Sequence, residues 1–189
     1  MRFLAVITLL VLVIAQPVAA QKTKSYDAAN TAMLRGDYAT ARKYFRALAK
    51  QGHINGQLRY AHMYYHGQGV VQDYKQAVVW YRKAADQEYA RAQYLLGQMY
   101  GTGEGVPKDD KEGFKWQLMA AEKGYEDAFN SVGWAYHQGI GTPRNYIEAR
   151  KWYLKAVEHN DPYAQDNLGL LYQNGQGVAV DFKKALEWY

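Results

Sequence analysis

Apolar and small residues recur along this chain at helical spacing, in blocks that repeat. In "ARAQYLLGQMYGTG" the residues Ala92, Leu96, Gly97 and Tyr100 fall at i, i+4, i+5 and i+8, one face of a helix. In "DDKEGFKWQLMAAEKG", Gly113, Trp116, Gln117 and Ala120 fall at i, i+3, i+4 and i+7, one face of a second helix. Both patterns return every 36 residues: Gly67 as Gly103, Gly139 and Gly175, Tyr64 as Tyr100, Tyr136 and Tyr172, Trp80 as Trp116, Trp152 and Trp188. Ala61 corresponds to Gly97, Gly133 and Gly169, and the second-helix face holds Ala77, Trp80, Tyr81, Ala84 and Ala149, Trp152, Tyr153, Ala156. Small residues on both helices let backbones approach closely, while tryptophan and tyrosine fill the space between units. The pattern predicts an all-α array of antiparallel helix pairs. Full repeats lie at 53–88, 89–124 and 125–160, and an incomplete one at 161–189.

The glycine-rich stretch "YYHGQGVVQDYKQAVVWY" admits two readings, a phosphate-cradling loop or a hinge between helices. A dinucleotide or phosphate loop needs a strand before its glycines, and here a helix precedes them. Gly67 falls just past the first helix, where a left-handed C-terminal cap suits glycine. Asp73, Asp109, Asn145 and Asp181 are good N-caps for the second helix. Three residues on, Gln76, Glu112 and Glu148 predict reciprocal capping boxes, broken by Lys184 in the last unit. The stretch reads as architecture.

These residues resemble the Sel1-like repeat family, a relative of the tetratricopeptide repeat. "AQYLLGQMYGTGEGVPKD" and "DNLGLLYQNGQGVAVDFKKALEWY" carry its small residue, Leu-Gly, Tyr, Gly-x-Gly-Val, Asp, Ala and Trp-Tyr pattern, with Thr142 in place of the loop valine and Gln117 in place of the second tyrosine. The resemblance covers 53–189. Residues 25–52 look like a tetratricopeptide-type opening repeat with Asp37, Ala41 and Tyr44, so that the repeat domain spans 21–189. It implies a right-handed superhelical solenoid. Such arrays need a polar capping element, and Trp188-Tyr189 fall in the middle of a second helix, so the natural chain is expected to continue.

Eighteen tyrosines and five tryptophans beside four prolines fit a helical, aromatic-rich protein. Residues 1–20 stand apart from this fold. A basic Met1-Arg2 start, the uncharged run "FLAVITLLVLVIA" and "QPVAA" read as a secretory signal peptide cut after Ala20. The thirteen-residue run is short for a membrane span, so no stable anchor is expected after cleavage. The product is expected to be exported, to the periplasm first of all, with full secretion as the alternative. Without Arg2 the formal charge falls from +5 to +4, and no Lys/Arg run marks a basic patch, so nucleic acid is not an expected partner. The charges look like ordinary solvated helix faces. The absence of cysteine excludes a disulfide framework and thiol chemistry.

Chemical motifs are few. Ser25 and Ser131 have neither a lysine three residues on nor a nucleophile-elbow context. Cysteine-rich bacterial members of the resembled family are associated with β-lactam chemistry, but that branch is stapled by disulfides. His62 and His66 stand one helical turn apart without a third ligand or a glutamate base between them. No cofactor, metal site or catalytic residue is implied.

The positions that vary between units are more informative. On the first helix, the sets at i, i+3, i+7 and i+10 are Asn55, Leu58, His62, Tyr65; Arg91, Tyr94, Gln98, Gly101; Asp127, Asn130, Trp134, His137; and Tyr163, Asp166, Leu170, Gln173. They are expected to avoid the core face, and the resemblance implies that they line a concave groove. Their aromatic, amide and charged side chains suit an extended peptide. The expected function is an exported adaptor that binds a protein or peptide, in envelope signalling, surface assembly or host contact. The alternative is a cell-wall enzyme, acting on peptidoglycan or β-lactams, or a regulator of one.

Overall fold

The computed structural model describes residues 20–189, and the expected signal segment lies outside them except for Ala20. Among the described residues there are ten α-helices and no strand. They are α1 (20–34), α2 (Tyr38–Lys50), α3 (Ile54–His66), α4 (Tyr74–Ala85), α5 (Ala90–Thr102), α6 (Asp110–Glu122), α7 (Asp127–Gln138), α8 (Tyr146–Glu158), α9 (Pro162–Asn174) and α10 (Phe182–Trp188). The chain is all-α, and α3, α5, α7 and α9 are the first helices of the repeats. Two compact units divide at Trp80 and Tyr81, inside α4.

In residues 20–80 the core gathers Ala29, Ala32, Ala41, Phe45, Leu48, Ala49, Tyr60 and Met63, with Tyr26, Tyr44, Tyr64 and Trp80 packed on it. In residues 81–189 the core runs through Ala120, Phe129, Val132, Trp152, Tyr153, Leu168 and Leu171. Trp116 and Trp152 are buried, as the repeat pattern predicts, while Trp80 and Trp188 are half-buried. The small-residue positions act as expected. A Cβ on Gly97 would sit 2.8 Å from the Gly113 oxygen, and one on Gly113 would sit 2.9 Å from the Gly97 oxygen. Any larger side chain would drive α5 and α6 apart.

Gly67, Gly103, Gly139 and Gly175 all take left-handed φ between 65° and 80° as C-caps, each donating its N–H to the carbonyl four residues back. Asp73, Asp109, Asn145 and Asp181 cap the second helices through side-chain oxygens 3.0–3.1 Å from backbone N–H groups. The reciprocal half of the capping box is a correction. The N–H groups of these four residues donate instead to the carbonyls of Tyr64, Tyr100, Tyr136 and Tyr172, at 2.8–3.0 Å. That bond closes each interhelix loop. It leaves Glu112 and Glu148 to pair with Lys115 and Lys151 one turn on.

The second glycine of three loops has a different task. Gly141 has φ +68, and a Cβ there would fall on the Asp110 carbonyl oxygen, at the start of α6. A Cβ on Gly177 would crowd Tyr146 Cβ at 2.9 Å at the start of α8, and one on Gly69 would crowd Tyr38 Cβ at 2.7 Å and its carbonyl oxygen at 2.9 Å at the start of α2. At these three glycines the loop of one repeat thus rests closely on the start of an earlier second helix. At the far end of the second helix the sequence departs from glycine twice. Gly52 and Gly124 take left-handed φ of 77° and 83°, and Glu88 and Asn160, at the same repeat position, adopt 62° and 60°.

Candidate functional site

The predicted partner-facing residues fall into both units. In residues 20–80 they are Leu58, His62 and Tyr65 on α3. Leu58 is only 3% exposed, which corrects its assignment to an open face. It borders the buried arc of Gly56, Gln57, Tyr60, Ala61 and Met63. An aliphatic side chain at that edge gains by leaving water. Tyr65 is half-buried, its ring edge-on to Tyr74 at 5.2 Å. The His62 and His66 rings stack at 5.7 Å.

In residues 81–189, Arg91, Gln98, Asp127, Trp134, Tyr163 and Asp166 are exposed, and Tyr94 and Asn130 are half-buried. Tyr94 packs against Tyr125 at 5.4 Å and accepts a hydrogen bond from Gln98 Nε2 at 2.9 Å. The Tyr125 hydroxyl donates to Asp127 at 2.7 Å. Burial and that carboxylate hold the Tyr125 phenol above its ordinary range. Asn167 Nδ2 donates to Asn130 Oδ1 at 3.2 Å, joining α9 to α7. Trp134 and Leu170 occupy one position in successive repeats and are 44% and 38% exposed. Two large apolar side chains therefore stand in water on adjoining helices.

His137 is the second correction. It is 7% exposed, between the Tyr153 hydroxyl at 3.2 Å from Nδ1 and Gln176 Oε1 at 3.0 Å from Nε2. The amide oxygen can only accept, so Nε2 donates to it and the neutral ring accepts from Tyr153 through Nδ1. The imidazole ties a helix pair to the next loop, a structural task invisible in its spacing.

The helical pattern also missed two buried amides. Gln57 Nε2 donates to the Ala49 carbonyl and Gln93 Nε2 to the Ala85 carbonyl, both at 3.3 Å and at equivalent repeat positions. Each adds a second hydrogen bond to a carbonyl in the last turn of the preceding helix, which already accepts the backbone N–H of Gly52 or Glu88. Phe129 takes that position in the next repeat and packs on Trp152 instead. Only the pairing of a Gln with an Ala eight residues earlier, seen twice, hints at this.

Among the described residues no group of three or more His, Cys, Asp or Glu side chains is placed to hold a metal ion. No helix among them is long and apolar enough to cross a membrane. Two histidines do couple stability to pH. His53 caps α3, its Nδ1 accepting from the Gly56 N–H at 3.0 Å. Burial, with the charge of Lys22, holds His53 below the ordinary histidine range, and burial first, then Arg144, does so at His137 against the opposing bond from Gln176. The unfolded chain then binds more protons as pH falls. The contribution of both groups is full above about pH 6.5 and is lost as acid carries the solution down through their folded values. The thermal midpoint should therefore drop between neutral pH and about pH 5. His53→Asp, which keeps an acceptor for Gly56, and His137→Gln should each flatten the drop; unchanged slopes in both variants would refute the assignment.

A comparison with family models matches the Sel1 repeat at residues 31–53, 54–89, 90–125, 130–161 and 162–189. The matches start one residue later than the repeats read from the period, except that the third starts at 130 against 125, and the opening segment is matched as well. Among solved structures, a protective antigen present in uropathogenic Escherichia coli strains, displaying an SLR fold, is 35% identical with a TM-score of 0.87. The match covers 93% of this chain and 38% of that one, so this chain spans well under half of that relative's length. A Sel1 repeat protein from Oxalobacter formigenes is 38% identical with a TM-score of 0.80, covering 87% of this chain and 67% of that one. Cysteine rich protein B of Helicobacter pylori shares the fold, at 22% identity and a TM-score of 0.53, covering 68% of this chain and 92% of that one. A comparison with curated proteins found no match. Sel1 repeats generally mediate protein–protein interaction and are typically scaffolds rather than enzymes. With five repeats matched and their helix pairs, caps and glycine loops in place, this chain belongs to the Sel1 repeat family.

Proposed function

We propose that this protein is an exported adaptor that holds a protein or peptide partner against the first-helix face of α5, α7 and α9. The observation that carries the reading is the exposure of Trp134 and Leu170 at one repeat position of neighbouring helices. Around them stand Arg91, Gln98, Asp127, Tyr163 and Asp166, all exposed, with Tyr94 and Asn130 half-buried. An apolar centre within a polar rim is the usual anatomy of a binding patch, and tryptophan is enriched among residues that dominate interface energy. Export, with the periplasm as destination, rests on the basic start, apolar run and small-residue cleavage site of residues 1–20. Envelope signalling, surface assembly or host contact are the settings proposed for such an adaptor.

A photoreactive amino acid at position 134, crosslinked in intact cells and read by mass spectrometry, identifies the partner. Trp134→Ala should then weaken that purified partner by about 2 kcal/mol or more while circular dichroism stays unchanged. If folded Trp134→Ala and Leu170→Ala proteins both bind the partner as wild type does, this face is not the binding surface.

A further inference from the structure

Charge is divided unevenly along the chain. Residues 20–80 hold nine Lys and Arg against three Asp and Glu, a net of +6, whereas residues 81–189 hold thirteen against fifteen, a net of −2. No linear run of basic residues marks the first unit, but helical geometry gathers three of its solvated cations. Arg42, Arg46 and Lys50 follow one another four residues apart on α2, so the helix assembles them into one row.

That row forms one wall of a cleft of about 350 Å³, and Tyr60, Tyr64 and Trp80 form the opposite wall. No carboxylate lines it. Of the three acids in the unit, Asp37 and Asp73 already cap helices at Thr40 and Gln76. Arg42 reaches the Gly69 carbonyl at 3.3 Å, while Arg46 and Lys50 have no ion pair among the described residues. All three cations are exposed. Their fields reach across the cleft: burial and Tyr64 push the Tyr60 phenol up to about 12, with Arg46 and Arg42 acting in the opposite sense.

We propose that this cleft binds an extended acidic peptide segment with carboxylates at alternate residues. The site belongs to residues 20–80 and does not depend on the face of α5, α7 and α9. Spacing selects the ligand. Residues four apart on a helix rise about 6 Å, so the three charges span about 12 Å. Alternate residues of an extended peptide, which share one side, are about 6.6 Å apart. Three carboxylates at alternate positions therefore run in step with Arg42, Arg46 and Lys50, and the intervening side chains meet the aromatic wall. A single phosphate would use one end of the row. A single-stranded nucleic acid would need ring faces on which bases stack. Here Tyr60 is buried, and its ring is edge-on to Tyr64 at 5.1 Å and to Trp80 at 5.3 Å. The aromatics close a wall more than they offer a stacking platform.

The test is calorimetric titration of the full chain with a capped peptide that alternates glutamate with alanine and tyrosine, beside its glutamine counterpart. The glutamate peptide should bind and the glutamine peptide should not. Added salt should weaken the complex, because the contacts are solvent-accessible charges. Arg46→Glu and Lys50→Glu should each lower affinity roughly tenfold or more, while Lys183→Glu on exposed α10 leaves it unchanged. Arg46→Gln and Lys50→Gln serve as milder variants, and circular dichroism confirms folding. Equal binding of both peptides, no binding of either, or unchanged affinity in the folded α2 variants would overturn the proposal. Displacement of the peptide by inorganic phosphate or an oligothymidylate at lower concentration would assign the cleft to those anions instead. Loss in Trp134→Ala but not in Arg46→Glu would place acidic peptides on the α7 face, ending this proposal and leaving the adaptor reading intact.

Discussion

Trp116→Ala should lower stability by about 3–5 kcal/mol, the cost of emptying a large aromatic site that the surrounding helices cannot fully close. The indole is 7% exposed and lies under Arg82, whose guanidinium is 5.7 Å from the ring centroid. Trp134→Ala removes an equally large side chain that is 44% exposed, and should cost about 1 kcal/mol or less. The contrast tests the faces of the two helices without reference to any partner. Trp116→Phe adds a finer measurement. The Trp116 Nε1 group is buried without a hydrogen-bond partner among the described residues. Phenylalanine keeps much of the ring and removes that unsatisfied donor, so its loss should be clearly smaller than that of alanine. Thermal melts read all three, at about 2–4 °C per kcal/mol for a chain of this size. Equal losses at Trp116 and Trp134 would mean that the packing is assigned to the wrong face.

Gly141→Ala should cost about 2–5 kcal/mol, more than the same change at Gly139 two residues away. Both residues are left-handed, at φ +68 and +76, and both substitutions carry the strain of about 1–2 kcal/mol of that conformation. Space separates them. The nearest neighbour of a Cβ on Gly139 is Arg144 Cβ at 3.4 Å, an ordinary contact. A Cβ on Gly141 would fall on the Asp110 carbonyl oxygen, 2.6 Å from its carbon, where backbone must move. The loop would lift from the start of α6, and hydrogen exchange should quicken between Gly139 and Asn145. Equal destabilisation by the two variants would show that conformation alone, and not contact between repeats, explains the second glycine.

Much of this was legible in the chain. The 36-residue period located the helix pairs from α3 onward because helix formation and one-sided burial depend on residues three and four apart, which sequence displays directly. The N-caps at Asp73, Asp109, Asn145 and Asp181 and the left-handed glycines were legible for the same reason: each acts on its own turn of backbone. The boundary of the variable face was less legible. Leu58 and Asn130 share a repeat position, yet one is buried and the other only half-buried, because the side chain's own polarity decides at the edge of a buried arc.

Tertiary structure decided what depends on a partner far along the chain. The capping residues' N–H groups go to tyrosine carbonyls nine residues earlier, which the folded loop brings within hydrogen-bond distance, and Glu112 and Glu148 pair with lysines instead. His137 is internal because Gln176, thirty-nine residues on, meets its ring. Arg42, Arg46 and Lys50 become one wall of a cleft only when α3 and α4 set Tyr60, Tyr64 and Trp80 across from them. The sequence by itself determined the repeat and the helices, since those are periodic and local. Only the folded chain decided which polar groups meet, since a long-range contact leaves no spacing to read.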